Sequence, residues 1–240
     1  MTYSWLTIHR VTFDEERDAN VSGAPNGPEL ASVWRFGPNA PLGENGLRTG
    51  VAQEWGGVGF YHSRDDADAV VAAPDEHLDF LGDTTEGWHA LAGVIAHRGE
   101  VDWSKETEPH PTLTPLKSDP GGVMAVITSA GYLSRDASQL DRIRDFLKKV
   151  EEVVEFYGTL EANVVRTLFN TVGTKEGMTF SVWNSDKGMI ASAYKPGLHS
   201  EYMAQHNQSP MFDRSSFTRL RLFASNGSWD GIDPREAATG

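Results

Sequence analysis

The chain has 240 residues, of which 39% are hydrophobic and 23% charged, so it can bury a real core and is far from the composition of a disordered chain. Its formal charge of -13, from 34 acidic against 21 basic side chains, lacks the basic footprint that a phosphate backbone demands, and no nucleic-acid partner is expected. The absence of cysteine rules out disulfides, thiolate-ligated metals, iron–sulfur clusters and cysteine nucleophiles, which leaves histidine, carboxylate, hydroxyl and arginine chemistry.

No run approaches the roughly 18 apolar residues of a membrane span, and the start Met1-Thr2-Tyr3-Ser4-Trp5 lacks the basic-then-apolar plan of a signal peptide. A cytoplasmic protein with a small-molecule substrate is therefore expected, with homo-oligomerisation left open.

Trp5 to Phe13 reads as a strand, and residues 20 to 50, rich in Gly, Pro and Asn, read as a loop-rich insertion. From Gly59 onward the first half parallels the second. Gly59-Phe60-Tyr61-His62-Ser63 resembles Thr179-Phe180-Ser181-Val182-Trp183, and an acidic-capped helix follows each. Pro74-Asp75-Glu76-His77-Leu78-Asp79-Phe80 then matches Pro196-Gly197-Leu198-His199-Ser200-Glu201-Tyr202, and each half closes near a Gly and a Trp, at Gly99 to Trp103 and Gly227 to Trp229.

The second half is more regular. Val123 to Thr128 is a β-branched run after the turn Asp119-Pro120-Gly121-Gly122. Asp136 caps a helix whose Leu140, Ile143, Leu147, Val150, Val154 and Tyr157 recur at steps of three and four, predicting a core-facing seam up to Gly158. Strands over Asn163 to Thr171 and Met178 to Trp183 follow, with Gly173 and Gly177 marking the turn between them. A helix from Ser185-Asp186 breaks at Pro196-Gly197 and resumes from Leu198 to about Asn207, before a last strand from Phe217 to Phe223. The order β-α-β-β-α-β is ferredoxin-like. The fold class expected is α+β, with tandem ferredoxin-like repeats over residues 1–115 and 116–240 that form a dimeric α/β-barrel-type fold.

Of the eight histidines, His199 and His206 lie seven apart and can share a helix face, but they are too widely spaced to chelate one ion from adjacent turns. No third His or Cys completes a zinc site, and a single histidine on a large planar cofactor suits the pattern better. The plain alternative for His199 is a helix-start histidine bonded to the backbone. On the last strand, alternation sends Phe217, Arg219, Arg221 and Phe223 to one face and Thr218, Leu220 and Leu222 to the other. The leucines are expected under the helices and the arginines on the opposite face, where they need a carboxylate from the protein, a haem propionate or a substrate. Gly57-Val58-Gly59-Phe60 is not a dinucleotide fingerprint, and neither a Walker lysine motif nor a Gly-x-Ser-x-Gly elbow occurs.

Three stretches carry a family resemblance: Thr179 to Trp183, Ala193-Tyr194-Lys195-Pro196-Gly197-Leu198-His199, and Phe217 to Phe223 running on through Ser225-Asn226-Gly227-Ser228-Trp229-Asp230-Gly231. In these residues the chain resembles the spheroidene monooxygenase family of carotenoid-modifying proteins, related to the dimeric α/β-barrel group. It departs from that pattern at Met211-Phe212 and over residues 14–54. The resemblance implies a b-type haem held by a histidine of the second half. By position that is His199, with His206 the second candidate and Arg219, Arg221 and Trp183 the companion cofactor-binding residues. It implies a haem-dependent monooxygenase for a small or apolar organic substrate. A lyase of the aldoxime dehydratase type, a cofactor-independent enzyme and a non-catalytic binding module on the same fold are the alternatives.

Overall fold

A computed structural model describes residues 2–99, 111–133, 136–172, 176–194 and 197–240. The first half contributes strands β1 (Trp5–Asp18), β2 (Val33–Pro38), β3 (Val51–Tyr61) and β4 (Thr84–Gly99), with helix α1 (Arg64–Ala72) after β3. The second half contributes β5 (Met124–Gly131), α2 (Leu140–Tyr157), β6 (Asn163–Asn170), β7 (Glu176–Trp183), α3 (Asp186–Tyr194), α4 (Leu198–Gln208) and β8 (Arg214–Gly227). The protein is thus α+β, as its alternating hydrophobic periods imply. Trp103 and the Lys195-Pro196 break, used in the sequence comparison, lie outside the described residues.

One antiparallel sheet of eight strands runs β2-β3-β1-β4-β8-β5-β7-β6. Each half has its first strand between its third and fourth and its second strand at the outer edge, and the two fourth strands pair at the centre. The halves differ in their helices. A full helix joins β5 to β6, whereas only the single turn Ala19–Ser22 stands in the corresponding place after β1.

The sheet curls until its edge strands touch. The Val172 amide donates to the Phe36 carbonyl at 3.2 Å, and Gly37 lies so close to the Asn170 carbonyl that a Cβ there would fall 1.7 Å from its oxygen. This contact explains why a strand hides in the stretch that reads as loop. Val33–Pro38 ends in Gly and Pro, which a central strand tolerates poorly but which suit an edge where another backbone arrives closely.

Inside the curl lies the largest apolar cluster, drawing Leu6 and Ile8 from β1, Phe60 from β3, Trp88 and Ala90 from β4, Ile127 from β5, Phe180 from β7 and Leu220 and Leu222 from β8. The alternation expected along β8 therefore holds, but the two sides are exchanged. Leu220 and Leu222 fill the concave interior, while Phe217 and Arg221 point to the convex face that carries the helices. Curling explains the exchange, because the concave face is sealed by the sheet itself and needs no helix to cover it.

Candidate functional site

Helix α2 has the apolar seam that its sequence spells, yet of that seam only Ile143 is buried; Leu140, Leu147, Val150, Val154 and Tyr157 remain half-buried. A core-facing seam normally disappears into the core. Here it faces a cavity of about 1190 Å³ between α2, α3, α4 and the convex face of the second-half sheet. That exceeds the roughly 300–1,000 Å³ of ordinary small-molecule pockets.

His199, in the first turn of α4, lines this cavity. Its Nδ1 lies 3.4 Å from the Ala193 carbonyl, which can only accept, so the geometry favours Nδ1–H and an unprotonated Nε2. Among the described residues Nε2 has no hydrogen-bond partner. Burial holds the pKa of His199 below the usual histidine value, against the Ala193 bond and with help from the charge of Arg98, so the ring is neutral near pH 7. A neutral imidazole fixed through one nitrogen by a carbonyl is the form a metal ligand takes.

Two contacts set the helix that bears it. Ser200 accepts from the Gly197 amide at 3.0 Å, closing the first turn, and the Tyr202 hydroxyl bonds to Glu152 of α2. The Glu152 carboxylate beside it pushes the Tyr202 pKa up to about 12, so this link stays protonated.

Trp183 lines the same cavity. Its ring is buried, Nε1 donates to Ser181 at 2.9 Å, and Tyr157 stands edge-on to it with centroids 5.3 Å apart. Tyr157 also lies 6.3 Å from the His199 ring, so it joins the two expected site residues into one aromatic wall. Burial raises the Tyr157 pKa to about 12.

The other expected site residues lie elsewhere. His206 is absent from the described residues lining the cavity; its Nδ1 accepts from the Met211 amide at 3.1 Å and its ring stacks on Phe212 at 3.8 Å. Arg219 and Arg221 are likewise absent from that wall. Arg221 is buried in a double fork, with Nε and Nη2 on Asp119 at 2.8 Å and Nη1 and Nη2 on Asp186 at 2.8 and 2.7 Å. The carboxylates that Arg221 needs are therefore the protein's own. Hydrogen bonds from Arg221 lead the effects that lower the Asp119 pKa to about 2.

Sequence reasoning missed Arg48 and Arg98, which both line the cavity. Arg48 falls in the Gly- and Pro-rich insertion, where no periodicity marks a side chain. The segment around it forms a small hairpin: Leu42 bridges to Arg48, and the Gly43 amide donates to the Leu47 carbonyl at 2.8 Å. Arg144 of α2 holds it by donating to the Asn45 carbonyl at 2.7 Å, and Arg48 pairs with Glu151. The first half thus supplies one wall of a cavity otherwise built by the second.

No family model matches the chain, and no curated protein does. Solved structures share its fold. One is an aldoxime dehydratase in complex with butyraldoxime, 11% identical, with a TM-score of 0.55 over 91% of this chain and 79% of that one. A second aldoxime dehydratase is 10% identical, with a TM-score of 0.52 over 92% of this chain and 82% of that one. A Fusobacterium nucleatum protein described as a monooxygenase aligns over 95% of both chains at 10% identity, with a TM-score of only 0.41. What the chain shares with the two dehydratases at these identities is the fold.

Proposed function

We propose that the cavity holds a b-type haem with His199 as the residue that would bind its iron, and that the protein is a haem-dependent monooxygenase of a small or apolar organic substrate. The observation that carries the reading is the unfilled apolar seam of α2 facing a single oriented, neutral histidine. The donor set suits a macrocycle, which brings its own four nitrogens and asks the protein for one more ligand. Among the described residues no group of three or more His, Asp or Glu is arranged to hold a bare ion.

Bound there, haem would supply redox-active iron able to react with oxygen or substrate. The chain's own residues do the rest. Ala193 and the Tyr202–Glu152 link fix the His199 ring, while Tyr157 and Trp183 flank it and help exclude water. The hydroxyls of Thr128 and Thr179, hydrogen-bonded to each other on the cavity wall, can hold or pass a proton. Two ferredoxin-like repeats closing into a barrel account for the shared strand order of the halves, and residues 1–115 and 116–240 are the proposed units.

Haem titrated into the purified protein should give a Soret band that His199→Ala abolishes or strongly shifts and His206→Ala leaves in place. The opposite pattern moves the ligand to His206, and no band with either protein removes the haem reading. The dehydratase likeness favours a second chemistry, dehydration of an aldoxime such as butyraldoxime at ferrous haem. Oxygenation needs either oxygen with a two-electron source or peroxide, so substrate conversion under strict anaerobiosis, without peroxide and without net oxidation, replaces the monooxygenase by the lyase.

A further inference from the structure

Helix α4 has 11 residues and buries none of them. Glu201, Met203, Ala204, Gln205, Asn207 and Gln208 are exposed, although a helix on a globular protein ordinarily sinks an apolar stripe into the core that holds it down. The cavity beneath is the reason. His199, Ser200, Met203, Ala204 and Asn207 recur at helical steps along one face and line the cavity, so the face that would be packed stands over open space.

A helix this short is marginal by itself in water, so a few ties decide where it lies. Its C-terminal end is fastened: the His206 ring stacks on Phe212, His206 Nδ1 accepts from the Met211 amide, and Met211 and Phe212 are buried. Its N-terminal half is held more lightly. The Tyr202 hydroxyl donates to Glu152, Lys149 stands over the Tyr202 ring at 5.6 Å, and His199 Nδ1 lies 3.4 Å from the Ala193 carbonyl. These are polar contacts of half-buried side chains, which water replaces at small cost, the property of segments that open locally.

We infer that α4 is a lid over the cavity, hinged at the buried Met211–Phe212 turn and latched by Tyr202 and Glu152. Its opening uncovers the cavity and swings His199 away; its closure returns His199 to the occupant, so closing and gripping are one motion. The inference rests on the reading of this cavity as the ligand site and does not require that haem be its occupant.

Hydrogen exchange in the apoprotein tests the motion. Amides of residues 201–208 should exchange at least about tenfold faster than those at the centre of α2, at a rate insensitive to low urea. Exchange as slow as in α2 overturns the lid, whether a second copy of the chain covers α4 or the helix is firmly packed. Uptake of Nile red, an apolar dye read by its fluorescence, and of haem, read by its Soret band, tests the gate. Because the chain has no cysteine, Glu152→Cys with Tyr202→Cys, joined by a bis-maleimide, pins the lid alone. Cross-linking should slow uptake of both probes at least about tenfold against the same variant unlinked. Equal rates overturn the lid and leave the cavity a ligand site. Should that variant not fold, Tyr202→Phe decides, since it keeps the ring and loses the latch. Nile red uptake and release should then rise by the same factor, at least about threefold, with affinity unchanged. Unchanged rates, or faster release alone, overturn the lid. A protein whose lid gates Nile red but which takes up no haem loses the haem reading and keeps this one; a protein that binds neither probe loses both.

Discussion

Thr167 of β6 donates a 2.6 Å hydrogen bond to Glu54 of β3, tying the last strand of the sheet to a strand at its other end. The other Glu54 oxygen accepts from Arg10, which is buried and also pairs with Glu86 and Asp230. Curling of the sheet therefore ends in a shared ion network as well as in the Val172–Phe36 bond. Thr167→Val should cost about 0.5–1.5 kcal/mol, and Glu54→Gln about 1–3 kcal/mol because it also removes one of the three carboxylates around Arg10. Urea unfolding measures both. Wild-type stability in both variants means that the edges part in solution.

Acid should destabilise the protein in two steps. His9 and His89 meet through their Nδ1 atoms at 2.8 Å, and His9 Nε2 bonds to Thr7, which in turn bonds to Tyr61. Burial lowers the pKa of both histidines, that of His89 to about 4. The unfolded chain binds their protons first, so stability falls from about pH 6.5 down to about pH 4, by of order 3 kcal/mol for a shift of this size. Glu86 follows. Burial pushes its pKa up, but the amides of Gly231 and Asp230, the Ser228 hydroxyl and Arg10 outweigh this and lower it to about 2. Its stabilisation is present above about pH 4.5 and is lost as pH falls towards 2. Thermal melts of His89→Gln should show a flatter slope between pH 6.5 and 4 and an unchanged one below. A slope equal to wild type in the upper window sinks the assignment.

Local patterning made most of the elements legible. The seam of α2, the strand order of the second half and the place of His199 at a helix start follow from periodicity, caps and a Pro-Gly break. Three things did not. The strand Val33–Pro38 carries its signal in a contact with Asn170, more than a hundred residues away, and a single sequence shows no such pairing. The sides of β8 were exchanged because alternation separates two faces without saying which one is concave. Arg48 reaches the cavity only because residues 39–50 dock on α2, through Arg144 and Glu151.

Arg221 provides a direct comparison with the expectation drawn from its strand. With both of its forks filled by Asp119 and Asp186, it holds the turn before β5 and the start of α3 to the centre of the sheet. Arg221→Met should cost about 1–3 kcal/mol, less than a fully buried pair, because both carboxylates are about half exposed and regain water. Haem affinity per folded molecule should stay at the wild-type value. Loss of haem binding in a variant that is otherwise folded returns Arg221 to the cofactor site.

The α2 seam offers the sharpest test of whether its apolar face waits for a ligand or for the core. Enlarging a side chain in a packed interior costs typically about 1–3 kcal/mol, because neighbours must leave their rotamers. Val58, on the inner face of the sheet and 1% exposed, is such a position, and Val58→Phe should cost that much. Val150 and Val154 belong to the same class of side chain but line the cavity half-buried. A phenylalanine there enters free space and covers apolar neighbours, so Val150→Phe and Val154→Phe should unfold within about 0.5 kcal/mol of wild type. Both should also weaken haem binding in the cavity by at least about tenfold. If Val150→Phe is as destabilising as Val58→Phe, the seam is packed in solution, the cavity closes, and α2 is an ordinary core helix.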